Sequence, residues 1–124
     1  FGEELGGRRS RREAEAAAAA PLPDNSAWRN ASFRAYADYM STPAFAAGLE
    51  RLEALGRERR AATMCAEAHP SRCHRRLIAD ALLARGWRVL HLLGDGRLDE
   101  GGLTPDAVVA GERVAYPPQP SLEV

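Results

Sequence analysis

The segment Met64 to Arg76, MCAEAHPSRCHRR, gathers two cysteines, two histidines, one glutamate and three arginines within thirteen residues. Side chains of these types can do three kinds of chemistry. Arg72, Arg75 and Arg76 can offer guanidinium forks to a phosphate, sulfate or carboxylate. Cys65 or Cys73, beside arginines and a helix N-terminus, would lie toward the nucleophilic thiolate. Cys65, Cys73 and His74, with His69 or Glu67, are ligand types that suit zinc.

Spacing ranks the three. There is no C-x2-C pair, and adjacent Cys73 and His74 diverge on a helix, so the metal reading is weakest and no metal ligand is assigned. A phosphatase-type C-x5-R loop needs arginine at position 71, which holds Ser71. A thiol reaction of another kind stays open, with Cys65, Cys73, Glu67 and His74 as the catalytic candidates. An anion site ranks first. Against all three stands a bland alternative. A buried cysteine often acts as a small hydrophobe, and Glu67 paired with an arginine could simply hold a loop.

The surrounding pattern must position these groups. Ala61 to Ala66 is a short apolar run and reads as a strand buried on both faces. Glu67 to Arg72 reads as a loop, with Ser71 as a helix cap. Leu77, Ile78, Ala81 and Leu82 give the apolar face of a helix from about 72 to 85, closed by Gly86. Trp87 to Leu93, WRVLHLL, reads as a second strand, with His91 as a core or edge histidine. Strand, helix and strand at this length make a parallel βαβ unit. Such sheets bind ligands beyond the carboxyl ends of their strands, where Cys65 and the loop after it would stand.

Upstream, Phe33, Tyr36, Ala37 and Met40 follow at helical spacing behind Ser32, a possible cap. Thr42-Pro43 opens a second helix, with Phe45, Leu49, Leu52 and Leu55 as its stripe and its end near Gly56. Trp28 and the neighbouring aromatics read as packing, with Arg29 and Asn30 able to face a ligand. The expected domains are an irregular loop segment over 1–31, an α/β core over 32–95, and a partly disordered C-terminal extension over 96–124. Glu13 to Ala20 shows no apolar face that would hold a helix. Thr104-Pro105 reads as the start of a short helix through Val109. The fold class expected is a Rossmann-like three-layer α/β domain with a mainly parallel sheet, and one βαβ unit is too little sheet to stand alone.

Composition narrows the function classes. The 124 residues suffice for one domain, and the formal net charge is zero. No global field therefore steers the chain toward nucleic acid or membrane. The arginine clusters at 8–12 and 57–60 keep a nucleic-acid-binding module as the alternative. No apolar run spans a bilayer and no secretory signal opens the sequence, which sets the expectation of a cytoplasmic protein. No cofactor and no oligomeric state is specified. All seventeen basic residues are arginine, a bias that suits a GC-rich bacterial genome.

The phrase MCAEAHPSRCHRRLIADALLARGWRVLHL resembles the signature of a bacterial family, domain of unknown function 488. The matching features are Cys65-x-Glu67, Pro70, Cys73-His74-Arg75, Val89 and His91. ELGGRR (Glu4 to Arg9), WRNASFRAYADYM (Trp28 to Met40) and TPAFAAGLERL (Thr42 to Leu52) follow the family in order and spacing. The resemblance covers about residues 2–95 and identifies a domain rather than a reaction. It implies a Rossmann-like sheet whose first strands precede Phe1, so that the chain is the C-terminal portion of a family member. A structural fragment without activity is a further alternative on that ground. The resemblance also implies that the LGGRR loop faces the same crevice as Cys65. Gly6, Gly7 and Arg8 thus join Arg72 and Arg75 as expected ligand-binding residues for a small anionic molecule.

Overall fold

The computed structural model describes residues 1–17, 22–63 and 73–118. Its elements are helices α1 (Gly2–Leu5), α2 (Arg11–Ala17), α3 (Ala31–Tyr39), α4 (Pro43–Glu58) and α5 (Arg75–Ala84), then strands β1 (Leu90–Leu92), β2 (Leu98–Glu100), β3 (Val108–Ala110) and β4 (Arg113–Ala115). Among the described residues no helix is long and apolar enough to cross a membrane.

The helical stripes set the core. Tyr36 and Tyr39 of α3, Phe45, Leu49 and Leu52 of α4, and Leu77, Ile78 and Ala81 of α5 are all buried against Leu5 and Tyr116. Tyr36 and Tyr39 meet Phe45 edge-on at 6.0 and 5.9 Å, the geometry that ring quadrupoles favour. Thr42 caps α4 through its hydroxyl, which accepts from the Phe45 N–H at 3.3 Å, and Pro43 follows in the first turn. Gly48 lets α1 approach α4. A methyl group there would lie 2.5 Å from Cβ of Glu4.

The sheet differs from the sequence expectation. The domain is not a Rossmann-like α/β fold with a mainly parallel sheet. It is five helices with two separate two-stranded antiparallel hairpins, β1–β2 and β3–β4. Residues 61–63 are not in a strand, and the rest of the expected first strand lies outside the described residues. WRVLHLL keeps only Leu90–Leu92 as strand, paired to Leu98–Glu100. The reason is local. Gly94-Asp95-Gly96 forms a three-residue hairpin loop with Gly96 at φ 86°, and the Leu93 N–H donates to the Arg97 carbonyl at 2.9 Å. A short loop closes at small entropic cost, and Asp-Gly is a strong hairpin signal. The burial follows: Leu90 and Leu92 are exposed while Val89, His91 and Leu93 are half-buried, an alternation rather than a strand covered on both faces.

Three further details differ from the expectation. Residues 1–31 contain α1 and α2. Ser10-x-x-Glu13 opens α2, with the Ser10 hydroxyl accepting from the Glu13 N–H at 3.1 Å, the first half of a capping box. Ala14 alone is fully buried there. Asn30, not Ser32, caps α3, its side-chain oxygen accepting from Ser32 and Phe33 N–H at 2.9 and 3.2 Å. Residues 104–109 hold a turn and the start of β3 rather than a helix. The C-terminal extension is docked as far as Tyr116, which is fully buried.

Candidate functional site

The described part of the site is where the loop after α1 meets the start of α5. Two tyrosines of α3 fix that loop. Tyr36 donates its hydroxyl to the Leu5 carbonyl at 2.7 Å, and Tyr39 donates to the Glu4 carbonyl at 2.5 Å. These are carbonyls that the short α1 leaves without helical partners. Burial pushes both phenols above their ordinary range, so both hydroxyls keep their protons. Arg9 completes the clamp. It donates to the carbonyls of Gly6 at 3.0 Å and of Glu3, pairs with Glu13 at 3.0 Å, and stacks over the Tyr39 ring at 3.7 Å.

Glycine is required at the loop for lack of space, not for backbone angle. Gly6 is extended, at φ −63°. A methyl group on it would run into the Gly2 carbonyl, and one on Gly7 would lie 2.6 Å from Nδ1 of His74. The loop therefore seats directly on the His74 ring. Tyr36 closes the other side of that ring at 5.1 Å between centroids. Arg8 is exposed and, with Gly7, Arg9, Ser10, Glu13 and Ser32, lines a cleft of about 350 Å³.

Cys73 is buried just before α5. Its sulfur accepts from the backbone N–H of Arg75 at 3.4 Å and from Nε–H of Arg75 at 3.4 Å, and it lies 3.5 Å from Nδ1 of His74. The thiol thus caps a helix whose N-cap residue, His74, makes no side-chain cap. His74 is half-buried between Gly7, Tyr36 and Cys73. Burial, with Arg75 and Arg9 nearby, lowers its pKa below the ordinary 6.5. Which proton lies between His74 and Cys73 depends on the tautomer. With the ring protonated at Nε2, Nδ1 accepts the Cys73 S–H.

The structure thus brings together Gly6, Gly7, Cys73, His74 and Arg75, with Arg8 at the edge. Cys65, Glu67 and Arg72 lie outside the described residues. Arg76 takes another direction: its Nε–H donates to the Thr104 hydroxyl at 3.1 Å and its guanidinium lies 5.5 Å from the Trp28 ring. Sequence reasoning missed Arg9, Tyr36 and Tyr39 as the groups that hold the loop. Tyr36 and Tyr39 read as core, and nothing in their spacing announces a hydroxyl aimed at a carbonyl thirty-one or thirty-five residues away. Among the described residues no group of three or more His, Cys, Asp or Glu is gathered as a metal would need.

No curated protein and no solved structure matches the chain. A family model does match, over residues 2–82, a range that holds the whole Gly6–Arg8 loop and the Cys73-His74-Arg75 turn but neither hairpin. The chain belongs to the family described as domain of unknown function DUF488.

Proposed function

We propose that this domain binds a small oxyanion, of phosphate or nucleotide type, where the Gly6–Arg8 loop meets the start of α5. The observation that carries the reading is the surroundings of the Cys73 sulfur. A backbone N–H and a guanidinium N–H of Arg75 converge there at 3.4 Å each. Donors and positive charge are thus already aimed at one point beside the loop that carries Arg8. A helix start adds the favourable end of its dipole. Arg8 and Arg75 hold the anion in this reading, and Gly6 and Gly7 let the backbone come close. Arg72 and Glu67 join them by their place in the sequence, Glu67 as an acid/base or arginine-positioning group. Any reaction would use Cys65 or Cys73 as the thiol. The nucleic-acid alternative loses ground on one observation. Arg9 and Arg11 of the basic run are engaged within the chain, Arg11 with Glu15 at 2.8 Å and with Asp38 at 3.0 Å.

Titration of inorganic phosphate into the chain, followed calorimetrically, tests the reading. Arg8→Ala and Arg75→Ala should each weaken binding about tenfold, or ~1.4 kcal/mol, the size of one charge-assisted hydrogen bond. No phosphate or sulfate binding at millimolar concentration, or wild-type affinity in both variants, rejects it. A slope of several in log affinity against log salt for a single-stranded oligonucleotide would favour the nucleic-acid reading instead.

A further inference from the structure

The β1–β2 hairpin carries exposed leucines on one face. Leu92 and Leu98 stand opposite each other across the pair, and Leu90 follows on the same side. Leu92 is 64 %, Leu98 60 % and Leu90 44 % exposed. The Arg88–Glu100 ion pair, at 3.2 Å, borders them at the far end. The other face of β1 is half-buried through Val89, His91 and Leu93. An apolar patch rimmed by charge is thus left open to a partner.

The edge of β2 is open as well. The Leu93 N–H donates to the Arg97 carbonyl at 2.9 Å, and the Gly101 N–H donates to the Val89 carbonyl at 2.7 Å. Bonded and unbonded pairs alternate in an antiparallel ladder. The N–H and C=O groups of Leu98 and Glu100 therefore point away from β1, and among the described residues this sheet has no third strand. Such an edge is a template for another strand.

The charges along β2 select which strand. A second copy related by a two-fold axis perpendicular to the sheet runs antiparallel and keeps each side chain on its own face. The registers that bring the outward groups together differ in their centre. Centred on Asp99 or on Glu100, the pairing sets a carboxylate against its own copy, which is unfavourable. Centred on Leu98, it sets Arg97 beside Asp99 twice. Both groups can take the contact. The Arg97 side chain uses only its Nε–H, on Asp95 at 2.6 Å, and Asp99 has no ion-pair partner among the described residues.

We propose that β2 is a self-association edge: a second copy of this chain pairs with it antiparallel about Leu98, with Arg97 facing Asp99 of the partner subunit at both ends. The two hairpins become one four-stranded sheet. Leu98 packs beside Leu98 of the partner subunit, and their N–H and C=O groups exchange bonds. The inference does not depend on the anion reading, since neither hairpin contributes a residue to that site.

Sedimentation equilibrium on the full chain, from micromolar to millimolar concentration, tests it. The wild type should pass from the 13.5 kDa mass of one chain to twice that mass. Arg97→Asp leaves only acidic groups at the two paired positions, and Asp99→Arg leaves only basic ones. Each variant alone should associate about tenfold more weakly. Mixed in equal amounts, the two variants should pair with each other as tightly as the wild type pairs with itself, because both contacts again join opposite charges. The double exchange, Arg97→Asp with Asp99→Arg, should likewise pair with itself. Both positions are exposed, so the core is untouched. Should Arg97→Asp loosen the hairpin by losing its bond to Asp95, Asp99→Arg alone and the wild-type mass decide. A wild type that stays monomeric at millimolar concentration overturns the proposal. So does a dimer that neither variant weakens, the mark of association through another face, or a mixture that remains two monomers.

Discussion

Tyr116→Ala should lower the unfolding free energy by about 3–5 kcal/mol, a large share of the ~5–15 kcal/mol that a single domain usually has. Tyr116 is fully buried at the end of the second hairpin. It meets Trp28 edge-on at 5.3 Å. Its hydroxyl donates to Asp80 of α5 at 2.7 Å, and Asp80 also accepts from the Thr104 N–H at 2.9 Å. Its backbone N–H donates to the Asn25 side chain at 3.0 Å, and its carbonyl accepts from the Ala27 N–H at 3.0 Å. Asn25 in turn donates to the buried Asp38 at 2.9 Å. Removing the ring opens a cavity and leaves the Asp80 carboxylate short of a donor in the interior. Tyr116→Phe keeps the packing and loses only the hydroxyl, so it should cost less, about 1.5–3 kcal/mol. Urea unfolding with an unchanged slope is the measurement. A wild-type midpoint in Tyr116→Ala would mean that residues 108–116 do not hold α5, and the buried Asp80 would need another partner.

Gly6→Ala and Gly7→Ala should each cost about 1–3 kcal/mol through overpacking, with Gly6→Ala the larger. The added methyl at Gly6 meets a backbone carbonyl, that of Gly2, which cannot turn aside. At Gly7 it meets the His74 ring, which is packed against Tyr36 and Cys73 and so yields only by leaving its place. Gly7→Ala should therefore shift the ring resonances of His74 as well as the unfolding midpoint. Gly102→Ala is the control, since a methyl there meets nothing within 4 Å and no positive φ is involved. Wild-type stability and unmoved His74 resonances in Gly7→Ala would show that the loop does not seat on the ring.

Much of the helical part is readable in one dimension, because helices are built from contacts between near neighbours. Phe33, Tyr36, Ala37 and Met40 announce α3, and Thr42-Pro43 announces α4 to within a turn of its end at Glu58. Leu77, Ile78 and Ala81 announce α5, and Gly86 does stand beyond it with φ 88°. Helix α2 was missed for a definable reason. Its one buried residue is an alanine, which carries little periodic signal, while its Ser10-x-x-Glu13 start was available to be read. The parallel sheet was expected from an apolar run and a motif. The Asp95-Gly96 turn that folds β1 back on β2 was the better guide.

By itself the sequence determined the family and the three longer helices, and it singled out the Gly6–Arg8 loop and the Cys73-His74-Arg75 turn as candidate places for chemistry. Only the tertiary structure decided that these two segments touch, that Arg75 turns back on the Cys73 sulfur, and that Arg76 turns away to Thr104. It also decided that Tyr36, Tyr39 and Tyr116 place hydroxyls on partners far along the chain. The physical reason is the range of the interaction. Caps, turns and helical stripes arise between residues a few positions apart, and their spacing records them. A hydroxyl reaching a carbonyl or a carboxylate across the core leaves no period in the sequence, because the distance along the chain is set by everything packed between.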